Sequence, residues 1–378
     1  MKRTPKKLSQ RLEERRSRGG MRTLSLQGEL VDFSSNDYLG FATDPPPIAM
    51  KEPNGHWGAT GSRLLTGHHR AYEELEKSLA QFYRASDALV FNSGYDANMG
   101  LLSALPQKGD LVLYDQLSHT SIREGLRLSE AKTFKFPHND LQALEKLAKR
   151  WKDKVEGDCY LVTESVFSMD GDSPDLKAMA HWCEKNNFYW ILDEAHGTFA
   201  GQGRGMVVEL GIEELVFARL VTFGKAIGGH GACVLGSEEL KDYLINFARP
   251  LIYTTALPPG QLRFLQAIHK VREGQEGEER AKILANRISY FREGVHQRHL
   301  SSQVSTNAGP IQWISTPGEE AVLSLAERFR AAGFDIRAIR PPTVPQGGER
   351  LRICLHAFNT EEQIDQILNI LVEALRHE

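Results

Sequence analysis

The sequence predicts an α/β protein built on a mainly parallel sheet, followed by a smaller α+β unit. Three observations carry this reading. Short apolar runs rich in branched and aromatic residues recur at Ala88–Phe91, Leu111–Tyr114, Cys159–Thr163, Phe188–Leu192, Leu220–Phe223 and Ala232–Leu235. Helical patterns such as Leu141–Trp151 and Leu176–Lys185 fall between them, and strands alternating with helices imply a parallel sheet covered on both faces. From about residue 260 the texture changes. A long charged helical stretch, Leu262–Gly294, leads to a strand at Ile311–Ser315 and a helix at Glu319–Ala332. Strands near Phe334–Ile339 and Leu351–Leu355 and a closing helix from Glu361 complete the chain. The expected division is an N-terminal arm over 1–45, a large domain over 46–258 and a small domain over 259–378, with the arm packed on the small domain.

Length and composition agree with this plan. A chain of 378 residues suggests two or three structural units at about 150 residues each. Hydrophobic residues make up 41% and charged residues 25%, which excludes disorder, collagen-like repeats and a coiled coil as the main architecture. Lys and Arg number 46 against 49 Asp and Glu, a net charge of −3. A dedicated nucleic-acid binder would show a basic excess, so no nucleic-acid partner is expected. No apolar run approaches the roughly 18 residues of a membrane helix. Cys159, Cys183, Cys233 and Cys354 lie far apart with no metal-like spacing; reduced core thiols, a cytoplasmic location and no metal site are expected.

The first twenty residues carry eight Lys or Arg and the acids Glu13 and Glu14. A transit peptide would be poor in acids and a signal peptide would need an apolar core. Leu8 and Leu12, four apart, instead predict a short amphipathic helix. Its basic face is either solvated or attractive to a polyanionic ligand.

Ligands of an open parallel sheet settle beyond the carboxyl ends of its strands, so the residues just after the apolar runs bear the chemistry. The run Leu220–Phe223 is followed by Gly224-Lys225. A lysine there either points to water at a loop mouth or is desolvated; desolvation lowers its pKa and yields a neutral amine. The run Tyr189–Leu192 is followed by Asp193-Glu194-Ala195-His196. Those four letters spell a nucleoside-triphosphatase box, yet the required GxxxxGK[ST] loop is absent. Gly201-x-Gly203 follows no strand and lacks the third glycine of a dinucleotide loop.

Pyridoxal phosphate accounts for both segments. Its ring nitrogen must stay protonated to act as an electron sink, and a carboxylate at Asp193 holds that proton. Lys225 supplies the amine that bonds the cofactor. The phosphate needs amides at a helix start, and Phe91-Asn92-Ser93-Gly94-Tyr95 is a strand–turn–helix of that type. His119, after the strand at Leu111–Tyr114, is placed to cover the ring. Each element also has an ordinary structural reading when taken alone.

These residues resemble a known family. Asp193–Gly197, Thr222–Lys225 and Ser34-Ser35-Asn36-Asp37-Tyr38-Leu39-Gly40 are similar to the α-oxoamine synthases. Gly61–Leu64, Thr66–His69 and Val166-Phe167-Ser168-Met169-Asp170-Gly171-Asp172 fit the same family, from roughly residue 20 to the C-terminus. The resemblance implies the aspartate-aminotransferase-like fold of pyridoxal-phosphate-dependent transferases, fold type I. It implies Lys225 as the Schiff-base lysine, Asp193 as the pyridinium partner, and His119 and Ala195 on the two ring faces. It further implies Ser168 and His196 at the ring oxygen, and Gly94, Tyr95 and Thr222 at the phosphate. Thr254 and Thr255 would reach the phosphate of a neighbouring subunit in a homodimer whose sites lie at the interface. Arg352 and Asn36 would bind the glycine carboxylate, and Arg22, Arg340 and Thr343 correspond to further substrate-contacting positions.

Within the family, Ile339–Pro345 followed by Arg350-Leu351-Arg352 is most similar to the branch that condenses glycine with a pimeloyl thioester in biotin biosynthesis. The acyl carrier is coenzyme A or acyl carrier protein. A sister activity, with an acetyl thioester and 2-amino-3-oxobutyrate as product, uses the same core residues. Thr60 and His230 depart from the family pattern, where glycine and a small residue are common, and both bear on acyl-chain preference.

Overall fold

A computed structural model of the chain describes residues 4–17, 20–22, 24, 26, 28–47 and 57–375. After a two-residue strand β1 (Val31–Asp32), seven strands build the main sheet: β2 (Asp87–Phe91), β3 (Leu111–Asp115), β4 (Lys132–Phe136), β5 (Cys159–Glu164), β6 (Tyr189–Asp193), β7 (Ala218–Thr222) and β8 (Ala232–Gly236). Their spatial order is β2-β8-β7-β6-β5-β3-β4. Only β8 runs against its neighbours; the remaining pairs are parallel. The mainly parallel α/β sheet is therefore as the sequence predicts.

Double-sided burial explains why these runs are apolar throughout. All six residues of β5 are buried. Leu111, Leu113, Leu161, Trp190 and Leu192 enter one core, while Val112, Tyr160, Val162 and Ile191 enter another on the opposite face, as the two-residue period of a strand requires. β4 escapes the sequence reading because it is the sheet edge. Lys132 and Lys135 stay exposed there, which discourages further strand pairing, and Phe134 stacks on Trp151 at 4.3 Å.

Beyond the sheet, two expectations are corrected. The stretch Leu262–Gly294 is not one helix but two, Pro259–Arg272 and Gln275–Gln297. Gly274 caps the second with extended backbone. At Gly277 a β-carbon would stand 2.4 Å from the backbone of Arg272, so only glycine permits this close turn. The single stretch expected over Phe334–Ile339 is likewise two strands in two sheets. After β9 (Ile311–Ser315), β10 (Phe334–Asp335) pairs in parallel with β1. β11 (Arg337–Ile339) and β12 (Arg350–Cys354) instead form an antiparallel sheet of order β11-β12-β9.

The helix Lys6–Ser17 forms where the leucine spacing predicts one, but it buries no residue; Leu8 and Leu12 remain exposed. The four cysteines are buried and unpaired. Among the described residues no helix is long and apolar enough to cross a membrane, and no group of three or more His, Cys, Asp or Glu is placed to hold a metal ion.

Candidate active site

Five strands of the main sheet deliver their following residues to one cavity of about 170 Å³. β2 leads to Gly94 and Tyr95 at the start of the helix Gly94–Ala104, and Ser93 caps that helix by accepting the amide of Asp96 at 3.0 Å. The first amides of a helix have no partner within it, so this end of the cavity presents N–H groups. A β-carbon on Gly94 would lie 3.4 Å from Thr222, the last residue of β7. β3 leads to His119, β5 ends in Glu164, β6 ends in Asp193 and is followed by Ala195 and His196, and Lys225 lies just past β7. Asp193 and His196 are buried, whereas Lys225 is partly open to the cavity and His119 more so.

A directed hydrogen-bond chain runs along one wall. The amide of Asn98 donates to Asp193 Oδ2 at 2.8 Å and to Ser121 Oγ at 3.0 Å. The Ser121 hydroxyl, 2.7 Å from His119 Nδ1, donates to it, and the Ser121 backbone amide points to the same nitrogen. His119 Nδ1 is thus an acceptor, and in the neutral ring the proton sits on Nε2. The other oxygen of Asp193 accepts the amide of Ala195 at 2.8 Å. Two donors keep this carboxylate oriented while each oxygen retains a free lone pair.

Electrostatics bring the lysine amine within easier reach of its neutral form. Burial depresses the Lys225 pKa to about 8, against the opposing pull of Asp193 and Glu164. Burial and the neighbouring Asp193 raise Glu164 to about 8. Burial holds His119 below its ordinary value, partly offset by Asp193, and holds His196 well below it, reinforced by Lys225 and Arg352.

A second chain leaves the cavity through His196. The Tyr38 hydroxyl lies 2.8 Å from His196 Nδ1 and donates to Asn36 Oδ1 at 3.1 Å. Arg352, on β12, donates to the same Asn36 oxygen at 3.0 Å and through Nε to the carbonyl of Ser168 at 2.7 Å. Ser168 therefore sits beside Arg352 and is not part of the cavity wall. Arg22, Arg340 and Thr343 share a separate cavity of about 660 Å³ with Arg11 and Arg15 of the N-terminal helix, where Arg340 pairs with Glu319. Thr254 and Thr255 are tied by Asn92, whose side chain donates to Thr254 Oγ1 and the Thr255 carbonyl, and they line a surface hollow with Leu64, Leu65 and Tyr253. Thr60 and His230 are exposed and outside the cavity.

Sequence reasoning passes over Tyr38, Asn98, Ser121 and Glu164. Glu164 carries the same signal as Asp193, an acid closing a buried strand. Tyr38 lies inside a recognised motif with no role attached. Asn98 is one turn beyond Gly94, on the same helix face.

The donor set fits pyridoxal phosphate. Helix-start amides and a hydroxyl stand at one end, with a carboxylate, an amine of lowered pKa and an imidazole around the remainder.

The class I and II aminotransferase family model matches residues 28–371. The chain is 40% identical to the 8-amino-7-oxononanoate synthase of Emericella nidulans, over 93% of this chain and 90% of that one. With the synthase of the same name from Marinobacter nauticus it shares 39%, over 93% and 89%. Among solved structures, a serine palmitoyltransferase variant from S. paucimobilis, with a bound PLP-myriocin aldimine, superposes with a TM-score of 0.87 at 26% identity, over 98% of this chain and 97% of that one. The 8-amino-7-oxononanoate synthase of Francisella tularensis superposes with a TM-score of 0.77 at 29% identity, over 92% and 98%.

Proposed function

The chain belongs to the class I and II aminotransferase family and, within it, to the 8-amino-7-oxononanoate synthases of the α-oxoamine synthase group; from that premise we propose how its residues run the reaction. The reaction is the decarboxylating condensation of glycine with a pimeloyl thioester, on coenzyme A or acyl carrier protein, to 8-amino-7-oxononanoate. The cofactor is pyridoxal phosphate, and when bound it supplies a protonated ring that accepts electron density from the glycine α-carbon.

The residues divide that work. Gly94, Tyr95 and Thr222 hold the phosphate, and Asp193 keeps the ring nitrogen protonated. His119 and Ala195 would confine the ring and His196 would serve its oxygen, with Ser168 acting from outside the cavity wall through Arg352, whose Nε–H its carbonyl accepts. Arg352, steadied by Asn36, grips the glycine carboxylate, since a guanidinium fork matches two carboxylate oxygens. Lys225 anchors the cofactor and then, as a neutral amine, removes the glycine α-proton; a pKa of about 8 suits a base at physiological pH. Arg22, Arg340 and Thr343 receive the acyl substrate. Thr254 and Thr255 serve a second subunit in a homodimer. We also assign the chain to the cytoplasm and retain its division into an arm (1–45), a large domain (46–258) and a small domain (259–378).

The observation that supports this reading most is the placement of Asp193 and Lys225 at the ends of the adjacent strands β6 and β7, facing one cavity. The test is the mass of the product formed from glycine and pimeloyl-CoA. Formation of 8-amino-7-oxononanoate supports it. Turnover of acetyl-CoA to 2-amino-3-oxobutyrate, with none of pimeloyl-CoA, would replace it with the sister activity.

A further inference from the structure

His138 stands outside the cavity, between the turn that carries the cavity residue His119 and the loop whose Ser168 bonds Arg352. Its Nδ1 lies 3.0 Å from Asp115 Oδ1 and 3.1 Å from Oδ2, and its Nε2 lies 2.9 Å from Asp172 Oδ2. Each ring nitrogen thus has a carboxylate oxygen as its shortest polar contact, and the Asn139 side-chain amide also lies 3.2 Å from Nε2 while donating to Asp172. Carboxylates accept and do not donate, so the ring donates from both nitrogens. The ring packs edge-on to Phe167 at 4.4 Å, and Asn139 adds a donor to Asp172 at 2.8 Å.

Each carboxylate organises its own loop. Asp115 closes β3 and is fully buried. It accepts the amides of Leu117 and Asn139 at 2.8 Å each, and its carbonyl accepts the amide of Ser118, which shapes the turn ending at His119. Asp172 ends the loop after β5, where its carbonyl accepts the Phe167 amide at 2.9 Å. That loop carries Ser168, bonded to Arg352, and Asp170, bonded to Arg350.

We infer that His138 is a positioning residue for the reaction: as an imidazolium between Asp115 and Asp172 it locks the turn bearing His119 to the loop bearing Ser168, and so fixes the spacing of the ring-covering group from Arg352. Partial burial works against this charge, but the two carboxylates outweigh it and lift the pKa to about 10. Asp115 from β3 and Asp172 from the loop after β5 are the charged groups in contact with the ring; Asn139 and Phe167 are its neutral neighbours.

The inference rests on the roles proposed above for His119 and Arg352, but not on the acyl donor. His138→Gln keeps hydrogen-bonding capacity and removes the charge. In the cofactor-free protein, hydrogen exchange should accelerate in both the 115–119 turn and the 167–172 loop. In the holoenzyme, visible circular dichroism of the bound cofactor should weaken, and half-saturation by glycine should rise about tenfold, as small misplacements of binding groups do. Asp172→Asn, at a more exposed position, should move the same readouts, and the double variant should go no further than the worse single one. Wild-type glycine binding and dichroism in both single variants, even with a lowered melting temperature, would make the cluster merely structural and overturn the inference. Additive effects, or exchange that accelerates in one loop alone, would overturn it too. None of these readouts uses a thioester, so a mistaken acyl donor shows itself separately, in the product mass.

Discussion

The Tyr38 hydroxyl stands 2.8 Å from His196 Nδ1, and this one buried contact joins the cofactor cavity to the residues around Arg352. Tyr38 also donates to Asn36 Oδ1, which Arg352 shares. A glycine carboxylate drawn to Arg352 thereby acts on a network whose other end is a cavity imidazole. Tyr38→Phe keeps the ring and deletes the link. Leaving buried partners unsatisfied costs about 1–3 kcal/mol. Glycine affinity, read by titrating the cofactor's visible absorbance, should fall by a corresponding factor, roughly five or more. An unchanged affinity would show that the two ends are independent.

Lys225 and Asp193 separate two functions that one activity assay would merge. Borohydride reduction of the holoenzyme should fix the cofactor covalently on a peptide containing Lys225, and Lys225→Ala should yield no labelled peptide. Asp193→Asn should still bind the cofactor through Lys225 and the helix-start amides, although an amide keeps one acceptor oxygen for the two donors, Asn98 and Ala195, that Asp193 now satisfies. Exchange of the glycine α-proton, followed by NMR in deuterated water, should nearly vanish in that variant. Unchanged exchange would remove Asp193 from its assigned role.

Glu164 predicts a pH dependence with a definite sign. Its carboxyl has an ordinary pKa of 4.5 and a folded value raised to about 8 by burial and by Asp193. Between these values the folded state keeps a proton that the unfolded state has released. This group therefore erodes stability as pH rises from 4.5 toward 8, the reverse of an ion-paired carboxylate. Glu164→Gln retains an oxygen to accept the His119 amide, which Glu164 accepts at 2.5 Å, and carries no charge. Cofactor-free Glu164→Gln should match the wild type in chemical denaturation near pH 4.5 and gain on it steadily up to pH 8. A constant offset across that range would contradict the assignment.

Legibility in the sequence followed burial. β5 and β6 read clearly because both faces are covered and nearly every residue is apolar. β4 did not, because an edge strand needs lysines where a central strand needs valines. The helix break at Gly274 was hidden because its cause is the approach of Gly277 to the Arg272 backbone, which no periodicity records. In the site, Asp193 and Lys225 stood out because each ends an apolar run. Asn36 and its partner Arg352, 316 positions away, were named through the family motif alone. Tyr38 was given no role, since His196 lies 158 positions away and only the folded chain brings the two together. Ser168 shows the opposite limit: its motif was recognised, but its carbonyl rather than its hydroxyl makes the bond to Arg352.

Glu194 follows Asp193 directly yet does different work. Its carboxylate is buried, accepts the amide of Val207 at 3.0 Å, and pairs with Arg219 at 2.6 Å. Arg219 lies on β7, three residues before Thr222, and also donates to the carbonyl of Tyr83 at 2.6 Å. The pair thus ties the end of β6 to the strand that leads to Lys225. Removing one member of a buried pair strands the other charge and costs about 3–5 kcal/mol, whereas replacing both with apolar groups is often near neutral. Arg219→Met should lower the unfolding free energy from chemical denaturation by that amount and reduce cofactor retention, because the β6 and β7 ends lose their tie. Arg219→Met combined with Glu194→Leu should recover much of the stability, although the Val207 amide then loses its acceptor. Equal losses in the single and double variants would mean that packing around Arg219, not the stranded charge, sets the penalty.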